Sequence, residues 1–63
     1  MEAHDTFETE MLAVAQSYED MAAFDQRMKT ILPENAAEYT RRALEHQMQA
    51  EQIRADIAAR RWA

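Results

Sequence analysis

The chain has 63 residues, which limits it to one domain, residues 1–63, with a small hydrophobic core. With no cysteine, no glycine and one proline, the sequence excludes disulfide-stapled and turn-rich β-structure and favours helices. The net charge of −5 argues against nucleic acid as a partner, since phosphate recognition needs a surplus of basic residues.

Location follows from the same features. The N-terminal segment Met1–Asp5 is acidic, whereas a secretory signal begins with a positively charged region. No apolar run approaches the roughly 18 residues that a membrane-spanning helix needs. The lack of cysteine also fits a reducing compartment. We therefore expect a cytoplasmic protein without a membrane partner.

Capping patterns mark the starts of two helices. Asp5 and Glu8 have the spacing of an N-terminal capping box, with Thr6 as a neighbouring alternative, and Asn35 and Glu38 repeat that spacing. In each half of the chain the acidic residues come early and the basic residues late, as the helix dipole prefers. This repeated pattern predicts two separate helices.

Pro33 separates the two helices, because a proline disfavours the helical conformation of the residue before it. The predicted helices cover about residues 6–32 and 36–61. An antiparallel hairpin is the favoured arrangement, and one continuous helix kinked at Pro33 is the alternative. The predicted fold class is therefore an all-α two-helix hairpin.

Both helices carry a seam of apolar residues that alternates steps of four and three, the spacing of coiled coils. The first seam contains Phe7, Met11, Val14, Tyr18, Met21, Asp25, Met28 and Leu32. The second contains Ala36, Tyr39, Ala43, His46, Ala50, Ile53 and Ile57. Folding the chain back at residue 34 sets Met21 opposite His46 and Tyr18 opposite Ala50.

The second helix has a further apolar stripe about 150° from its seam. One neighbouring helix cannot cover both faces, so this stripe predicts an interface with another protein chain. The predicted interface consists of Leu44, Met48, Ala55, Ala58 and Trp62 of the second helix with Leu12 and Phe24 of the first.

Asp25 and His46 are the two polar members of the seams. An acid–base or pH-sensing pair is one interpretation. The favoured interpretation is that they fix the register and the choice of partner, as single polar seam residues do in coiled coils.

No catalytic, cofactor-binding or metal site is predicted. Di-iron helical bundles use a Glu-x-x-His motif, but Ala43 stands three residues before His46. The sequence also contains no nucleophile beside Asp25 and His46, and two helices form no concave pocket. We therefore expect no enzyme and no cofactor.

The hairpin is too small to bury a sufficient core alone, so we predict a homodimer that forms a four-helix bundle. In architecture and length this resembles the Rop-type dimeric bundle, although no motif of the chain matches that family's sequence. The predicted function is a small protein–protein interaction module: an adaptor, a chaperone-like subunit or a regulator. An acidic inhibitor of a nucleic-acid-binding protein and a Rop-like RNA-binding bundle are the alternatives.

Overall fold

The computed structural model describes the backbone of residues 3–59 and the side chains of residues 6–59. Helix α1 spans Ala3–Ile31, a 3-10 turn covers Pro33–Asn35, and helix α2 spans Ala36–Ala59. The two helices pack against each other along their length as an antiparallel hairpin with Cα extents of 48 × 17 × 10 Å. The predicted all-α hairpin is confirmed, and the kinked single helix is excluded.

The reversal of the chain occurs at Pro33. Leu32 has φ −121° and ψ 74°, an extended conformation of the kind that a following proline imposes. The Leu32 N–H donates to the carbonyl of Met28 at 2.8 Å, and the Asn35 N–H donates to the carbonyl of Leu32 at 2.9 Å. These hydrogen bonds tighten the turn, so α2 begins at Ala36 as the sequence predicts.

Helix α1 begins before its predicted capping box, whereas α2 begins where the sequence predicts. Helix α1 begins at Ala3, so Asp5 lies inside its first turn, where the helix dipole favours a negative charge. Glu38 lies in the first turn of α2, and its carboxylate accepts a hydrogen bond from Arg42 at 2.7 Å. The 3-10 turn leads directly into α2 and replaces the second capping box. The predicted residues 60 and 61 of α2 lie outside the described residues.

Alanines form the core of the hairpin. Ala15, Ala22, Ala43 and Ala50 are each at most 3% exposed, and within the described chain no large side chain is fully buried. Small side chains let two helix backbones approach closely. The hairpin is therefore held by close contact between its helices rather than by interdigitated large residues.

The predicted seam of α1 is wrong at three of its eight positions, Phe7, Val14 and Met21, whose side chains are exposed. Val14 and Met21 are each 40% exposed, whereas their neighbours Ala15 and Ala22 are buried. Each residue turns a helix by about 100°. When every second contact position moves by one residue, the average contact line therefore rotates by about half of that angle, about 50°. Alanine allows the closer backbone approach, so the helices meet on the alanine side of the seam.

The contacts of His46 agree with the predicted register. Its ring lies beside Tyr18 and its Nδ1 hydrogen-bonds Asp25, and these two residues bracket Met21, the residue predicted to face it. The hydrogen bond also gives the buried carboxylate of Asp25 the partner that it needs.

Candidate interaction surfaces and polar cluster

Asp25 of α1 and His46 of α2 form a hydrogen-bonded pair between the helices. The distance from Nδ1 of His46 to Oδ2 of Asp25 is 2.7 Å. Asp25 is only 4% exposed, whereas the side chain of His46 is 27% exposed. The Tyr18 ring lies beside the imidazole, with the ring centroids 6.1 Å apart and the planes tilted by 31°. The three side chains form a polar cluster near the middle of the hairpin.

The geometry of this cluster limits its chemistry. With a proton on Nδ1, the imidazole donates to Asp25, and this bond fixes the ring's orientation and tautomer. Asp25 is sealed between the helices, so only the exposed edge of His46 can meet another molecule. The hydroxyl of Ser17, which precedes Tyr18 in the chain, donates to the backbone carbonyl of Ala13 at 3.1 Å rather than to the cluster. The arrangement can fix helix register, and its geometry alone assembles no nucleophile with a base.

Glu19 and Arg54 form a second polar contact between the helices, which sequence reasoning missed. Nε and Nη2 of Arg54 donate to the two carboxylate oxygens of Glu19 at 2.9 and 2.8 Å. The hydrogen bond from Arg54 lowers the pKa of Glu19, and the same bond raises the pKa of Arg54. The two residues are 35 positions apart and belong to neither predicted seam, so the periodicity of each helix gives no signal for this contact.

The lowered pKa of Glu19 predicts how acid affects this contact. Because its pKa is lower in the folded chain, the ionised carboxylate of Glu19 stabilises the fold at pH values above the ordinary pKa of 4.5. This stabilisation is lost as the pH falls through the lowered pKa. Glu19→Gln should therefore lower the thermal midpoint slightly at neutral pH and have no effect in acid. Circular dichroism melts across this pH range test the prediction. Glu10→Gln removes the same charge from an exposed position of α1 and should have the smaller effect at neutral pH; an equal effect of both variants would contradict the assignment.

One side of the hairpin carries an open groove of about 400 Å³ between the helices. Alanines form its floor, and acidic and amide side chains form its walls. The lining residues are Glu19, Ala22, Ala23, Gln26, Gln47, Ala50 and Glu51. Among the described residues no group of three or more histidine, cysteine, aspartate or glutamate side chains has an arrangement that could hold a metal ion. The side of the hairpin that carries this groove is therefore polar at its centre.

The residues of the predicted interface are exposed wherever they are described. Leu44 is 56% and Met48 is 59% exposed on α2, and Leu12 and Phe24 of α1 are exposed as well. The alanines of the predicted stripe, Ala55 and Ala58, are also exposed, and Trp62 lies outside the described residues. The interface itself stays a prediction.

A second set of large apolar side chains is exposed where the sequence predicted a hairpin core. Phe7, Val14 and Met21 follow one another at intervals of seven residues, and each is 40% exposed. Residues seven apart lie on nearly the same side of a helix. They therefore form one apolar row along α1.

The described arginines of α2 are paired with carboxylates. Arg41 lies 2.8 Å from Glu45, Arg42 lies 2.7 Å from Glu38, and Arg54 binds Glu19. The Arg42 guanidinium also lies 5.3 Å from the centre of the Tyr39 ring. These pairs are solvent-exposed and weak, so the Rop-like RNA-binding alternative stays a prediction.

Comparison of the chain with protein families, with curated proteins and with solved structures finds no match. Within residues 3–59, neither helix combines the length and the apolar character that crossing a membrane requires. The functional argument therefore rests on the surfaces and contacts of the hairpin itself.

Proposed function

We propose that the chain is a small, non-enzymatic protein–protein interaction module of the cytoplasm that acts through self-association and helix packing. The observation that carries the proposal is the distribution of apolar side chains. The hairpin buries alanines, while eight large apolar residues of the described chain are at least 40% exposed. If these side chains stayed in water, the chain would gain little free energy of folding from its hydrophobic residues.

The energetic argument points the same way. A chain of this size rarely gains more than about 3–5 kcal/mol from one core, even when large side chains fill that core. Here the core consists of alanines, which bury little apolar area each. Contiguous exposed apolar stripes are uncommon on monomers and usually mark contacts with other proteins. Association supplies the missing burial.

The outer stripe of α2, centred on Leu44 and Met48, is the proposed contact surface for another protein chain. Helical stripes of this kind fit an apolar groove or the face of another helix. Such a surface suits an adaptor, a chaperone-like subunit or a regulator. An enzyme is disfavoured because the buried Asp25 offers a substrate no access.

Self-association predicts a thermal midpoint that depends on protein concentration. For a dimer that unfolds to single chains, a hundredfold increase in concentration favours the folded state by about 2.7 kcal/mol. Spread over the unfolding entropy of two such chains, this raises the midpoint by roughly 10 °C. Melts at several concentrations, combined with sedimentation, check the expectation. A folded monomer with a constant midpoint would overturn the proposed self-association.

A further inference from the structure

We infer that a second copy of this chain docks on one broad face of the hairpin, here named the apolar broad face and formed by Phe7, Val14 and Met21 of α1 with Ile53 of α2. The inference rests on the proposed self-association and names the surface that carries it. It separates this surface from the outer stripe of α2 at Leu44 and Met48.

The rotation of α1 supports this surface. Its apolar seam points about 50° away from the line along which α1 contacts α2. In a square four-helix bundle, the bundle centre lies roughly 45° from the direction of each adjacent helix. The seam of α1 is therefore directed toward the centre of a bundle rather than toward its own hairpin partner. Val14 and Met21 are exposed because the other half of that bundle is a second chain.

The large apolar residues of α2 lie on the same broad face. Tyr18 and His46 are in ring contact, and they mark one side of the hairpin. Val14 and Met21 flank Tyr18 at helical spacing on α1, and Ile53 follows His46 by seven residues on α2. Ile53 is half-buried. Both helices therefore contribute large apolar side chains to one surface, with the part-exposed edge of His46 among them.

The centre of the opposite broad face is polar. It carries the Glu19–Arg54 ion pair and the groove walls with Gln26, Gln47 and Glu51. Stacking a second copy there would desolvate the charges and amides at the centre of the face, while Leu12 and Leu44, each seven residues before a groove glutamate, lie beside this centre rather than in it. The contrast between the two broad faces selects the apolar one.

The broad face of the hairpin is large enough for a stable interface with a second copy of the chain. A face of 48 by 17 Å corresponds to roughly 800 Å² per partner, the size of a standard stable interface. An isologous dimer uses the same face of both copies, so no other chain is needed to cover it. Leu44 and Met48 remain outside this interface and free for the proposed protein partner.

The test adds two glutamates to each of three surfaces of the full chain and measures the mass by light scattering. Val14→Glu with Met21→Glu should convert the dimer to a monomer, because two charges on each copy would be buried at the interface. The matched control is Gln16→Glu with Ala23→Glu, which places two glutamates at the same spacing on the other side of α1. This control should keep the dimer mass.

The third variant, Leu44→Glu with Met48→Glu, should also keep the dimer mass. If the third variant is a monomer and the Val14→Glu, Met21→Glu variant is a dimer, the dimer interface is not the apolar broad face, but the proposed self-association still holds. A monomeric wild-type chain would overturn both.

Loss of folding in the glutamate variant is separated from loss of docking by Val14→Ala with Met21→Ala. Alanine keeps helix propensity and removes four large side chains from the dimer. We expect the dissociation constant to rise at least about a hundredfold while a helical dimer still forms at high concentration. An unchanged dissociation constant would contradict the inference.

Discussion

Replacing His46 with alanine is expected to destabilise the protein on the order of 3 kcal/mol. The substitution leaves the carboxylate of Asp25 without the hydrogen bond at 2.7 Å, in a site that is 4% exposed. Removing the hydrogen-bond donor of a buried carboxylate is costly because the remaining group can regain neither its partner nor full hydration. Urea unfolding followed by circular dichroism at fixed concentration measures the loss, and Gln49→Ala on the exposed side of α2 is the control.

The same cluster predicts an asymmetry and a rescue. Asp25→Ala alone should cost less than His46→Ala, because leaving an imidazole unpaired costs less than leaving a buried carboxylate unpaired. Asp25→Ala combined with His46→Leu fills about the same volume with apolar groups and should recover most of the lost stability. A double variant as unstable as His46→Ala would show that the pair does more than satisfy a buried carboxylate.

Ala50→Leu is expected to destabilise the protein by about 1–3 kcal/mol. Ala50 is 1% exposed and lies where the alanine surfaces of the two helices meet, next to Ala22 in the groove. Three additional carbon atoms there should force the helix backbones apart, because a site that is 1% exposed leaves little room for them. Denaturant unfolding at fixed concentration measures the change.

The control is Gln49→Leu, one residue away on the exposed side of α2, which should change stability by less than about 0.5 kcal/mol. Both substitutions place a leucine on the same helix, one at a buried position and the other at an exposed one. Equal, small effects at both positions would mean that the helices do not approach closely at Ala50.

The polar cluster gives the hairpin a specific register. An alanine surface is nearly uniform along its length, so sliding one helix by a turn changes little of its apolar contact. Asp25 with His46 and Glu19 with Arg54 are two separate polar contacts that form in one register only. A polar residue within an apolar seam is used in the same way in coiled coils.

The sequence by itself determined the helical hairpin. Composition without glycine or cysteine, two apolar seams and Pro33 predict two helices and the place where the chain reverses. Each of these signals is local: it depends on a residue's own backbone preferences or on neighbours within a few turns. The observed bounds, Ala3–Ile31 and Ala36–Ala59, lie within three residues of the predicted ends where the chain is described.

Only the tertiary structure decided which side of the α1 seam faces α2 and which polar side chains meet between the helices. Periodicity located an apolar half of α1, but it could not distinguish Val14 and Met21 from Ala15 and Ala22 as the contact line. That choice depends on how closely two backbones approach, and on the need of Asp25 for a partner on the other helix. Both are contacts between residues far apart in the chain. Their free energies exist only once the helices meet, and no local pattern encodes them.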